Sequence, residues 1–109
     1  MTHLVVCLTC QKNSGADLYG LMMARGPAEG LKITGHDCLW SCAAACAVQI
    51  RAEGKYGYHL GGFRATEDHA DALLDFAAKH HLSATGDVSY ERWPEAIKGH
   101  FMARIPPLD

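Results

Sequence analysis

Five cysteines stand in a chain of 109 residues, and they fall into two short segments. One is Cys7-Leu8-Thr9-Cys10; the other runs from Cys38-Leu39-Trp40-Ser41-Cys42 through three alanines to Cys46. Thiolates bind soft and borderline metals, and four of them suit either a tetrahedral zinc ion or an iron–sulfur cluster. The two segments therefore read as halves of one metal or iron–sulfur site. In a reducing compartment, clustered cysteines are more often metal ligands or redox catalysts than structural disulfides, and an odd number cannot pair completely within one chain.

One thiol is surplus to a four-ligand site. If residues 38–46 formed a continuous helix, Cys38 and Cys46 would lie about 12 Å apart along its axis, too far to share a compact cluster. If a strand begins near Cys46 instead, that side chain shares a face with Val48 and Ile50 and becomes a core thiol. Cys7, Cys10, Cys38 and Cys42 are the favoured ligands on this reasoning, with Cys46 in reserve. The pairs 7/10 and 38/42 satisfy zinc spacing as well. A third reading takes Cys7-Leu8-Thr9-Cys10 as a redox dithiol. It is weakened by Asn13-Ser14-Gly15, which puts the pair several residues before the helix whose amino end would acidify it.

The elements that must position these segments follow from the hydrophobic pattern. Residues 2–8 form a mostly apolar run with adjacent β-branched residues, which predicts a strand buried on both faces and ending near Cys7. Residues 11–15 read as a loop. Residues 16–25 carry Leu18, Leu21, Met22 and Arg25 at helical spacing, and Gly26-Pro27 ends that helix. Residues 31–35 alternate as a half-buried strand, and Cys38 follows closely. Both cysteine segments thus come just after strands, where sites gather in open α/β sheets. Residues 46–51 and 56–60 predict a hairpin turned at Gly54-Lys55. Thr66 is a good N-cap for a helix with acidic residues in its first turn and Lys79, His80 and His81 in its last. Its stripe is Ala70, Leu73, Leu74 and Ala77, with Phe76 near the margin. Residues 93–98 suggest a short helix, and the tail from Phe101 is apolar enough to pack, with Pro106-Pro107 stopping regular structure. The expectation is one α/β domain over residues 1–109, a thioredoxin-like small mixed sheet flanked by helices in the order β-α-β-β-β-α.

Composition narrows the function. An apolar fraction of 49% and a charged fraction of 20% are those of a globular domain, and a net charge of −2 offers nucleic acid no basic footprint. No apolar run approaches the roughly 20 residues of a membrane span. No Lys or Arg precedes Leu4-Val5-Val6, so the start does not read as a secretory signal and a cytoplasmic address is expected. Phosphate-binding loops, serine nucleophile elbows and His-Glu-x-x-His are absent from the sequence, which favours an electron carrier over an enzyme. Of the seven histidines, His80-His81 sit at a helix end that favours cationic side chains, and His3, His59, His69 and His100 read as isolated surface or partly buried residues. His36, near Cys38, and Trp40, inside the cysteine segment, are placed to tune or shelter the site.

Taken together, Cys7-Leu8-Thr9-Cys10, Cys38-x3-Cys42-x3-Cys46, Gly54-Lys55-Tyr56-Gly57-Tyr58 and Ala103-Arg104-Ile105-Pro106-Pro107-Leu108 resemble a bacterial family of small proteins described as metal-binding. That family carries no assigned function and is grouped with thioredoxin-like 2Fe–2S ferredoxins. The resemblance runs from Cys7 to Leu108. It implies a thioredoxin-like fold, a thiolate-bound 2Fe–2S cluster and one-electron transfer to a redox partner protein. A cobalamin-pathway reductase or cobalt-handling protein is the partner its gene neighbourhoods suggest, and dimerisation among ferredoxin-like relatives adds a homodimer to the expectations. The spacing of Cys7 and Cys10 is shorter than in those ferredoxins, and Ala45 stands where the family commonly has Gly. Both departures leave Cys10 and Cys46 as rivals for the fourth ligand.

Overall fold

A computed structural model describes residues 2–8, 14–26, 29–36 and 46–107, with the side chain of Ser14 outside that description. Five strands, β1 (Thr2–Cys7), β2 (Leu31–His36), β3 (Val48–Arg51), β4 (Gly57–Leu60) and β5 (Phe101–Ile105), form one sheet in the order β2-β1-β3-β4-β5. β1 and β2 are parallel, as strands joined by a helix can be, and the remaining neighbours are antiparallel. Two helices, α1 (Ser14–Arg25) and α2 (Glu67–Leu82), complete a small mixed α/β unit. Among the described residues no helix is long and apolar enough to cross a membrane.

The helices touch each other and both pack on β1 and β2. In β1 this buries Thr2, Leu4 and Val6 more deeply than His3 and Val5. The strand is thus graded rather than uniformly buried, a correction to the reading of its apolar run. Leu18 and Met22 of α1 and Ala70, Leu73, Phe76 and Ala77 of α2 are fully buried, and with Val48, Ile50, Tyr58 and Leu60 they form the core. Phe76 belongs to the centre of the α2 stripe and not its margin; Leu74 is the residue left half-buried. The hydroxyl of Thr66 accepts from the His69 amide at 3.2 Å, so it caps α2 as its sequence position suggests. Gly54, at φ 72°, makes the β3–β4 turn.

Several elements depart from the sequence reading. α1 begins at Ser14, so Ser14 and Gly15 are helical and not loop. Residues 93–98 form no α-helix: a 3-10 turn spans Tyr90–Arg92, and short bonds link Ile97 to Pro94 and Lys98 to Glu95. The tail pairs as β5 against β4, so the element order continues past α2 and differs from β-α-β-β-β-α. Four of the five β5 residues are exposed, because its ladder to β4 and not an apolar face holds it.

Candidate metal centre

The parallel pairing of β1 and β2 brings their carboxyl ends together. Cys7 and His36 are register partners, and the Leu8 amide donates to the His36 carbonyl at 2.8 Å. On the other side of β1, the Cys7 amide donates to the Ala47 carbonyl at 3.0 Å. His36 and Ala47 therefore flank Cys7 on its two sides in the sheet. Cys10 lies three residues beyond Cys7 in the chain, and Cys38 two beyond His36. The described residues that adjoin both cysteine-bearing segments, Leu8, His36 and Cys46, thus lie at one end of the sheet.

Of the expected ligands, Cys7 is 3% exposed at that end; Cys10, Cys38 and Cys42 lie outside the described residues, as does Trp40. Cys46 is fully buried, and its amide donates to the Phe63 carbonyl at 3.1 Å. Burial alone does not separate ligand from core thiol, since the favoured ligand and the reserve one are both inside. Among the described residues no three His, Cys, Asp or Glu side chains converge on a metal position. Thiols from two segments are donors that a soft metal or an iron–sulfur cluster would accept, and the two described thiols, Cys7 and Cys46, are both withdrawn from water.

Other elements close around the same end. The amino end of α1, where backbone N–H groups lack intrahelical acceptors, lies against Cys7 through Gly15. The chain leaving β4 contributes Phe63, whose ring stacks on His100 with centroids 4.4 Å apart; His69 stands edge-on to both. The Arg64 amide donates to His69 Nδ1, and His100 Nδ1–H donates to the Gly61 carbonyl, so the first ring presents an acceptor at Nδ1 and the second a donor. Burial, reinforced by the neighbouring His100, holds His69 below the ordinary histidine range. These histidines are separate in sequence and adjacent in space.

His80 corrects the reading of a cationic helix end. It is fully buried, its Nε2–H donates to the Tyr56 carbonyl at 2.6 Å, and its Nδ1 accepts from the Thr2 hydroxyl at 2.8 Å. A carbonyl can only accept, so Nε2 carries a proton, and burial, which disfavours a second one, leaves Nδ1 as the acceptor for the Thr2 hydroxyl. Burial pushes its pKa down. Beside Lys79 of the last turn, a cation from outside the helix serves this end of α2: the Lys55 ammonium donates to the carbonyls of His80 and His81. This cluster, like a surface groove over the β3–β4 turn lined by His3, Arg51 and Lys55, lies at the end of the sheet remote from Cys7.

The residues that composition and spacing did not single out are Gly15, Gly35 and Thr2. A glycine inside a strand signals close backbone approach, and that signal was present at Gly35. A family model described as "Protein of unknown function (DUF1636)" matches residues 4–107. No curated protein and no solved structure matches the chain.

Proposed function

The chain belongs to the DUF1636 family, and from that premise we propose that it is a small electron-transfer protein holding a 2Fe–2S cluster on Cys7, Cys10, Cys38 and Cys42. One observation carries the reading: buried Cys7 stands between His36 and Ala47, which in sequence bracket the stretch bearing Cys38 and Cys42, at the carboxyl ends of parallel strands. Bound there, a 2Fe–2S cluster supplies a one-electron couple whose potential depends on burial and on hydrogen bonds to sulfur. The chain supplies thiolates, excludes water around Cys7 and fixes that residue's backbone by two strand neighbours.

The fold reading that goes with this function is a thioredoxin-like variant. The parallel β1-α1-β2 unit, the antiparallel β3–β4 hairpin and the following α2 support it, with β5 as an added edge. The family resemblance adds a redox partner of the cobalamin-reductase or cobalt-handling kind, a homodimer and a cytoplasmic address to the proposal.

The experiment is an absorption spectrum of anaerobically purified protein with iron, sulfide and zinc counted on the same sample. Visible bands that bleach with dithionite, with iron and sulfide in equal amounts, are expected. A colourless protein that carries zinc or cobalt and takes up no cluster on reconstitution would replace the electron carrier with a non-redox metal module. A metal-free protein whose activity needs only Cys7 and Cys10 would make it a dithiol oxidoreductase.

A further inference from the structure

Two glycines meet at the end of β1, and neither is there for backbone freedom, since neither has positive φ. Gly15 lies in the first turn of α1 and Gly35 inside β2, where glycine is disfavoured in both cases. What both positions lack is room. A methyl group on Gly15 would fall on the carbonyl oxygen of Cys7 and 2.9 Å from its carbonyl carbon. A methyl group on Gly35 would stand 2.5 to 2.8 Å from the side-chain carbons of Leu8. Gly15 thus abuts the backbone of the Cys7–Leu8 peptide, whose N–H donates to the His36 carbonyl, and Gly35 abuts the Leu8 side chain that follows it. Gly20, in the same helix as Gly15, has nothing within 4 Å of its would-be methyl, so the restriction is local to the strand end.

We propose that Gly15 and Gly35 are positioning residues for Cys7. Their missing side chains let the first turn of α1 lie on the Cys7 carbonyl and let Leu8 fold down over β2. Together the backbone contact at Gly15 and the side-chain contact at Gly35 hold Cys7 and its neighbour Leu8 at the strand end and present the Cys7 thiol in one orientation. The local cost of glycine is accepted at two places because one closes on the Cys7 carbonyl and the other on the Leu8 side chain. The inference rests on Cys7 as a ligand in the proposed metal centre, and it concerns how that ligand is held.

The test compares wild type with Gly15→Ala, Gly20→Ala, Gly35→Ala, Leu8→Ala and the double variant Leu8→Ala/Gly35→Ala. Two quantities are read: the rate of Cys7 alkylation by iodoacetamide in metal-free protein, mapped by peptide mass spectrometry, and the iron and sulfide bound per chain in protein as purified. Gly15→Ala and Gly35→Ala are expected to speed Cys7 alkylation about tenfold through local opening, and to lower bound iron. Gly20→Ala should change neither. In the double variant the space vacated by Leu8 accommodates the new methyl, so its alkylation rate should fall to within about twofold of Leu8→Ala alone. Wild-type behaviour in both glycine variants would overturn the proposal, as would failure of Leu8→Ala to rescue. If Gly15→Ala does not fold, the Leu8 and Gly35 cycle decides alone. The alkylation pattern without iron in wild type would sink the cluster reading and leave the grip on Cys7 standing.

Discussion

The Leu8 amide donates to the His36 carbonyl at 2.8 Å, and this bond joins the ends of β1 and β2 at the point where the two cysteine segments leave the sheet. A strand end is usually where pairing lapses. Here the pairing continues one residue past Cys7, so the backbone that carries a buried thiol is fixed on both flanks. Four expectations follow from this arrangement and from the core behind it.

Replacing Cys38 or Cys42 with Ser should abolish cluster binding, while Cys46→Ser should retain it. Cys46→Ser should still lower thermal stability, because it places a hydroxyl in a fully buried position. Iron and sulfide per chain, read beside the visible spectrum, check the set. Iron retained in Cys10→Ser and lost in Cys46→Ser would make Cys46 the fourth ligand.

His80 should make stability depend on pH. Burial holds its native pKa below the ordinary value of 6.5, so the unfolded chain takes up a proton first as pH falls. The stability tied to the neutral ring is therefore complete above pH 6.5 and is lost as pH drops through the lower native value. Burial shifts His59 and His69 in the same direction, with the same sign of effect. Urea midpoints should fall steadily from pH 7.5 to pH 5, in steps set by these depressed values. His80→Gln should flatten part of that slope; an unchanged slope would show that His80 is not a source of it.

Tyr58 ties the sheet to the segment after α2. Its hydroxyl accepts from the Val88 amide at 3.1 Å, and its ring meets Phe76, Trp93 and Phe101 edge-on. Tyr58→Phe keeps the ring contacts and leaves a buried N–H without its acceptor. A loss of about 1–3 kcal/mol in urea unfolding is expected.

Thr66→Ala should cost about 1 kcal/mol by removing the acceptor for the His69 amide at the start of α2. The same denaturant titration measures it, and Thr66→Ser should recover most of the loss.

Much of the scaffold was legible because its signals are local. Thr66 followed by Glu67 and Asp68 specifies a helix start whatever surrounds it, and Gly54 specifies a turn. The placement of Cys7 at a strand end was legible too, since an apolar β-branched run stops there. The placement of the other expected ligands was read only from their spacing and from the family they resemble.

The less legible features depend on partners distant in the chain. β5 has an unremarkable apolar sequence and becomes a strand because β4 offers a free edge. His80 carries the same side chain as His81, yet one is sealed in the core between Thr2 and Tyr56, 78 residues and 24 residues away. Gly15 reads as a loop residue until the Cys7 carbonyl is found against it. The sequence by itself located the first four strands and the second helix, since propensity, capping and turn chemistry act over a few residues. Tertiary structure alone decided which strand ends meet, which histidine is fully buried and which glycines have no room for a side chain. Those outcomes depend on which surfaces exclude water from one another and how closely two backbones must approach, and neither is encoded within a single turn of chain.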